Sequence, residues 1–169
     1  MTLPTITPKP LILPNVTIYV DLPTRLIIYE YRNVVNTEVT KAAYAWAGAG
    51  MSSWFEPDDF RASIYDFRQV SDFAIGNTPV AIRASQNINT ITSLTTFPVA
   101  LIVSNLRQEV KVRTTMMGPD GARKYIAKSP QTALEFVNEW NVQHDRQFNI
   151  PEALLHILPE FDPAKHNPS

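Results

Sequence analysis

The sequence predicts an α/β protein with a mostly parallel or mixed central sheet of about five strands covered by helices. Three observations predict it. From Val16 to His144, β-branched and aromatic runs alternate with stretches of helical spacing, which implies right-handed crossovers and a largely parallel sheet. The run Phe97–Val103, F-P-V-A-L-I-V, is evenly apolar, as in a strand buried on both faces. Residues 60–84 read as a strand, a tight loop and the start of a helix. In open α/β sheets ligands and partners dock at such a junction.

Composition sets the bounds. At 169 residues, 44% hydrophobic and 10% aromatic, the chain fits one domain with extensions. A chain of this size buries about 70% of its unfolded surface. The net charge of −1 exerts no overall pull toward nucleic acid or membrane. The absence of cysteine removes disulfides, thiol catalysis and Cys-ligated zinc, and fits a reducing compartment. No apolar run approaches the ~18 residues of a spanning helix, so no integral membrane segment is expected. No charged region precedes an apolar one at the N-terminus, so no signal peptide is expected. The expected location is cytoplasmic.

Residues 1–15 contain Pro4, Pro8, Pro10 and Pro14. Proline fixes φ and cannot donate to a ladder, so this segment reads as a proline-rich arm. Residues 16–145 form the α/β domain and 146–169 a C-terminal extension. Val16–Leu22 alternates and Arg25–Val35 is more evenly apolar; with Pro23-Thr24 between them they predict a hairpin. Asn36 or Thr37 caps a helix carrying Val39, Ala42, Ala43 and Trp46 at helical spacing, ended by Gly48 and Gly50. Gly48-Ala49-Gly50 follows a helix, and Ser53 stands at the third glycine position, so a dinucleotide site is not expected.

The strand Arg61–Phe67 follows, with Asp66 and Asp72 at its exit and Gly76 in the loop. Thr78 is the expected N-cap and Pro79 the first helical residue. That helix runs to about Leu94, with Ala81, Ala84, Ile88 and Ile91 on one face. Asn105–Met117 fits either helix or strand; helix is favoured, because it must cross between two strands. Gly118–Gly121 is a turn, Tyr125–Ala127 a short strand, and Ser129-Pro130 a strong helix start. That helix ends near His144. A further short helix is expected at Asn149–Leu158.

This order resembles the STAS-like domains and the SpoIIAA-like group related to Sec14-type lipid carriers. The resemblance covers Val16–Val142 and rests on three stretches: I-Y-D-F-R-Q-V at Ile64–Val70, V-A-L-I-V at Val99–Val103, and K-Y-I-A-K-S-P-Q-T-A-L-E-F-V at Lys124–Val137. It implies a regulatory module whose partners meet the strand–loop–helix edge. The regulatory antagonists carry a phosphorylated serine at the start of that helix. With Asp66 aligned on the strand-end aspartate, the serine position falls near Ala74–Gly76, which holds no hydroxyl. The usual phosphoswitch is therefore not expected.

The chemistry-bearing residues are sparse. His144, His156 and His166 have no metal-motif spacing, and no P-loop, G-x-S-x-G or H-E-x-x-H occurs. No metal, cofactor or catalytic set is expected, and His144 reads as a helix-end cation. Asp58-Asp59 reads as solvated surface. Between Asn105 and Lys128 six basic side chains stand against Glu109 and Asp120, a net +4. Arg107, Lys111 and Arg113 are the candidate anion contacts there. A lone Tyr125 gives no stacking platform for bases. Tyr29, Tyr31, Trp46, Trp54, Phe55 and Phe60 are either core or the lining of an apolar pocket.

The expected function is a non-enzymatic binding or regulatory module. It engages a protein partner through the strand–loop–helix edge at 66–84, with Asp66, Ser71, Asp72, Gly76 and Thr78 as contacts. The alternative is a carrier or sensor of an apolar or lipid-like small molecule. A homodimer is also expected, exchanging the proline arm or the C-terminal segment, because Leu11–Leu13 and Leu154–Leu158 lack neighbours of their own in sequence.

Overall fold

The computed structural model describes residues 9–53, 60–91, 98–117, 123–146 and 158. Among the described residues one six-stranded sheet runs in sequential order, β1 (Leu11–Leu13), β2 (Val16–Asp21), β3 (Leu26–Val35), β4 (Ala62–Phe73), β5 (Val99–Ile102) and β6 (Lys124–Ala127). The sheet is mixed. β1, β2 and β3 pair antiparallel, while β3 through β6 pair parallel. Four α-helices among the described residues connect or follow the strands: α1 (Thr37–Ser53), α2 (Asn77–Ile91), α3 (Leu106–Val112) and α4 (Pro130–Gln143). A π-helical turn, Arg113–Met117, continues α3.

The layering follows from handedness. Right-handed crossovers that always step the same way put each connecting helix on the same face. Val39, Ala43 and Ala47 of α1 and Val112 of α3 share one core with Tyr29, Tyr31, Phe67 and Leu101. On the other face, Ala133, Leu134 and Val137 of α4 pack with Ile28, Ile64, Ala100 and Ile102. β5 is buried along its whole length, as its apolar run requires. Among the described residues no helix is long and apolar enough to cross a membrane.

Four expectations need correction. Leu11–Leu13, expected within the proline-rich arm, instead forms β1, with Leu11 opposite Ile18 and Leu13 opposite Val16. Arg32 donates to the carbonyls of Leu13 and Pro14, each at 3.0 Å, and the Trp46 indole donates to the Lys9 carbonyl at 2.9 Å. Leu11 and Leu13 thus find neighbours within their own chain, and the motive for exchanging them with a second subunit disappears. Gly48 and Gly50 do not end α1, which continues to Ser53. Glycine weakens a helix by about 1 kcal/mol, less than the burial of the adjoining alanine face can offset.

The third correction concerns β4, which runs on to Phe73. Two register shifts, between Glu30 and Arg32 and between Asn33 and Val34, keep it paired with β3 past its polar residues. The loop expected between the strand end at Phe67 and the helix start at Thr78 shrinks to Ala74–Gly76. Fourth, α2 begins at Asn77, so Thr78 lies inside its first turn rather than capping it. Gly76, with φ +86°, supplies the left-handed corner that L side chains resist. The ambiguous segment at 105–117 is helical, and Asn105 caps it by accepting from the Gln108 amide. Trp54, Phe55, Asp58, Asp59, the turn at 118–121 and the helix expected at 149–158 lie outside the described residues, apart from a buried Leu158.

The start of α4 is as its sequence dictates. Ser129 caps Thr132 and Thr132 caps back, with Pro130 at the first position. Ser129→Ala removes one arm of this capping box. It is expected to cost about 1 kcal/mol, read as a lower urea midpoint with an unchanged slope.

Candidate functional site

β3 and β4 outrun their neighbour. β5 ends at Ile102, opposite Asp66, while β4 continues for seven more residues to Phe73. Backbone carbonyls beyond that point need other partners. The Gln108 side chain of α3 supplies one, donating to the carbonyls of Val70 at 2.9 Å and Arg68 at 3.4 Å. Its own oxygen accepts from the Ser104 amide at 2.7 Å and hydroxyl at 3.0 Å. One glutamine therefore stands in for the missing strand and fixes α3 beside the projecting end of β4.

Asp66 is inside this assembly, not on its surface. It is 2% exposed and Arg68 is 7% exposed. The guanidinium grips the carboxylate bidentately, at 2.9 and 2.7 Å, and the Arg68 amide adds a third bond at 3.1 Å. A buried charge needs such pairing, so its role here is to hold the strand end. Ser71 is exposed on the bulged part of β4 and donates to the Asn33 carbonyl at 3.0 Å. Asn33 has φ +59°, so Ser71 clips the bend in β3.

Asp72 lies at the surface and accepts from Arg107 at 2.6 Å. That ion pair ties the end of β4 to α3. Around it stand exposed apolar side chains: Ile75 is wholly exposed, Leu106 is 72% exposed and Val110 54%. Gly76 turns the chain at this surface and Thr78 opens α2. Ser71, Asp72, Gly76 and Thr78 thus lie along one edge, whereas Asp66 is buried further back in β4.

The basic segment does not act as one patch. Arg107 is engaged by Asp72, and Arg113 reaches Glu109 at 3.1 Å. Lys128 also meets Glu109; these hydrogen bonds, Lys128 first, lower the Glu109 carboxyl from its ordinary value. Arg123 and Lys124 are buried, Lys124 against the Met116 carbonyl. Lys111 has no ion-pair partner among the described residues.

Lys111 stands instead at a crevice between α1, α2 and the π-helical turn. Tyr31, Val35, Phe67, Phe73, Ala81 and Met116 give it an apolar wall. Thr40, Tyr44, Asn77, Thr78, Lys111 and Thr115 supply the polar groups. Its cavity volume is about 30 Å3, room for about two waters. Burial pushes the Tyr44 hydroxyl up to about 12 and raises Tyr31 further, so both phenols are neutral at physiological pH. The Thr115 hydroxyl is already committed to the Lys111 carbonyl at 2.8 Å. Asn77 is 4% exposed, and its side-chain oxygen has no hydrogen-bond partner. A π-helical wall is itself a frequent mark of a functional position.

Of the expected site residues, Thr78 and Lys111 converge here. Arg107 and Asp72 form the neighbouring surface, and Arg113 points elsewhere. Tyr31, expected as core or pocket lining, lines the crevice, whereas Tyr29 is core, stacked on Tyr65 at 4.0 Å. Nothing in the sequence marks Asn77, Tyr44 or Met116 as residues of a site. Tyr44 and Met116 sit on helical patterns that read equally well as core. Asn77, between Gly76 and Thr78-Pro79, reads only as a polar residue at a helix start.

No protein-family model matches the chain, and no curated protein matches it. Solved structures do. An uncharacterized protein from the DUF3478 family with a SpoIIAA-like fold, from Shewanella loihica PV-4, is similar with a TM-score of 0.52 and 10% identity. The alignment covers 75% of this chain and 97% of that one. The anti-sigma factor antagonist SpoIIAA in its unphosphorylated form is similar with a TM-score of 0.48 and 7% identity, over 72% of this chain and 96% of that one. The chain has the SpoIIAA-like fold; at such identities the likeness concerns the fold alone.

One titratable pair lies on the other face of the same strands. Glu30 is paired in register with Asp66, and the Tyr19 hydroxyl donates to it at 3.1 Å. Burial raises the Glu30 carboxyl above its ordinary 4.5, opposed first by the Tyr19 hydrogen bond. A raised value means that the folded protein holds this proton more tightly than the unfolded chain. Glu30 therefore favours folding below its ordinary value and subtracts stability as pH rises through the raised one. Glu30→Gln keeps an acceptor for Tyr19 and removes the charge. Its melting midpoint is expected above wild type at pH 7, with the gap closing toward pH 4. A gap independent of pH would contradict this assignment.

Proposed function

We propose that this protein is a non-enzymatic binding or regulatory module that engages a protein partner through the edge formed by the end of β4, the Ala74–Gly76 turn, the start of α2 and the outer face of α3. The observation that carries the reading is the Asp72–Arg107 ion pair at 2.6 Å. It sets two separate chain segments side by side, with Ile75, Leu106 and Val110 exposed around it. Exposed ion pairs add at most about 1 kcal/mol of stability, and solvated apolar side chains add none. Apolar anchors ringed by charge are what a docking surface requires.

The small crevice supports the same reading over a lipid carrier. Room for about two waters is far below the ~300 Å3 of a pocket for a drug-sized ligand. In this reading Asp66 and Ser71 act as supports: the first anchors Arg68 in the strand, and the second clips the bend in β3. A cytoplasmic location belongs to the same proposal.

The test is affinity capture on the purified chain, with proteins identified by mass spectrometry, using wild type and Ile75→Glu/Leu106→Glu side by side. Both positions are exposed, so the double variant is expected to keep the wild-type urea midpoint. Its capture of the wild type's specific partner is expected to fall at least tenfold, about 1.4 kcal/mol. Equal capture by both proteins would remove this edge as the docking surface.

A further inference from the structure

The edge formed by the Ala74–Gly76 turn, α2 and α3 carries a charge that its own ion pairs do not cancel. Residues 74–117 contain four cations, Arg83, Arg107, Lys111 and Arg113, against a single carboxylate, Glu109. That stretch is +3, on a chain that is −1 overall. Two groups reach it from outside, Asp72 to Arg107 and Lys128 to Glu109. Their charges are opposite, so the surplus stays at +3. Glu109 is shared, with Arg113 on one oxygen and Lys128 on the other. Both cations remain 59% exposed, the carboxylate only 21%. One buried-side carboxylate thus answers two solvent-facing cations. On α3, Leu106 and Val110 are four residues apart and Arg113 follows three later, so they fall along one face. That face reads apolar, apolar, cation, and both apolar side chains are exposed.

We propose that the partner of this edge is an acidic protein segment, which sets an apolar side chain on Leu106 and Val110 and a carboxylate between Arg113 and Lys128. This inference rests on the docking reading above and names the chemistry of its partner. A second carboxylate there matches the second cation, and the arginine fork can grip it with two hydrogen bonds. The apolar contact holds the segment, while the surplus charge speeds its approach and turns away basic surfaces. Other anionic macromolecules fit less well. The exposed apolar side chains of this edge, Ile75, Leu106 and Val110, are aliphatic, so they offer nucleic-acid bases no stacking platform. An anionic membrane would press Asp72 and Glu109, which stand among those same anchors, against like charge.

The test selects binders to the purified full chain from a random-peptide display library. Affinities of the enriched peptides are then measured by fluorescence anisotropy against wild type, Leu106→Glu and Arg113→Gln/Lys128→Gln. Each replaced side chain is more than half exposed, so both variants are expected to keep the wild-type urea midpoint. Peptides that Leu106→Glu weakens at least tenfold are expected to carry Asp and Glu in excess over Lys and Arg, beside an aliphatic or aromatic residue. Arg113→Gln/Lys128→Gln is expected to weaken the same peptides about fivefold. That loss is expected to shrink at about 1 M salt, where the screening length falls to about 3 Å. Leu106-dependent peptides that are neutral or basic would overturn the acidic partner and leave the docking edge standing. If no enriched peptide depends on Leu106, both readings fall. Wild type but not Leu106→Glu sedimenting with phosphatidylserine-containing vesicles would replace the protein partner by a membrane surface.

Discussion

The parallel ladder between β3 and β4 is the constraint on which the rest depends. Tyr29 faces Tyr65 in register and stacks on it at 4.0 Å, and Tyr31 stacks on Phe67 at 4.9 Å. Paired aromatic rings bury much area and resist sliding, so they hold the register as well as the energy. β2 attaches to one side of this ladder and β5 to the other. Because both strands outrun β5, the sheet has a projecting end. α2 and α3 are built on that projection, and so are the proposed docking edge and the crevice.

A projecting strand end has unfilled backbone groups and awkward polar side chains. The molecule resolves both locally. Gln108 takes the carbonyls that a longer β5 would have taken. Asp66 and Arg68 neutralise each other inside the strand, and Ser71 braces the bulge. Such a buried ion pair is not by itself a source of net stability, since desolvation offsets much of its attraction. Its effect is to allow β4 to carry polar residues through the core to the surface where Asp72 and Arg107 meet.

The same geometry separates charges that the sequence runs together. Arg107, Lys111 and Arg113 lie within seven residues of one another on a helix and its π-helical continuation. Helical rotation turns them to different neighbours. Arg107 faces Asp72, Arg113 faces Glu109, and Lys111 faces a crevice lined by aromatic rings. A net charge counted along the chain cannot distinguish an engaged arginine from an unengaged lysine. That difference leaves Arg107 engaged by Asp72 at the surface and puts Lys111 at the crevice.

The sequence by itself determined the features that depend on near neighbours in the chain. Ser129-Pro130 announced α4, because a cap and a first-position proline act within one turn. The run V-A-L-I-V announced the buried β5, and the alternation of patterns announced the α/β class. Only the tertiary structure decided what depends on residues far apart in the chain. Leu11–Leu13 became a strand because β2 offered an edge, although Pro10 and Pro14 flank it. β4 ran past Phe67 because β3 shifted register to meet it. Asp66 became an interior anchor and Asn77 a lining residue for the same reason. Burial and pairing across the sheet are properties of the assembled fold, and no local pattern of residue types encodes them.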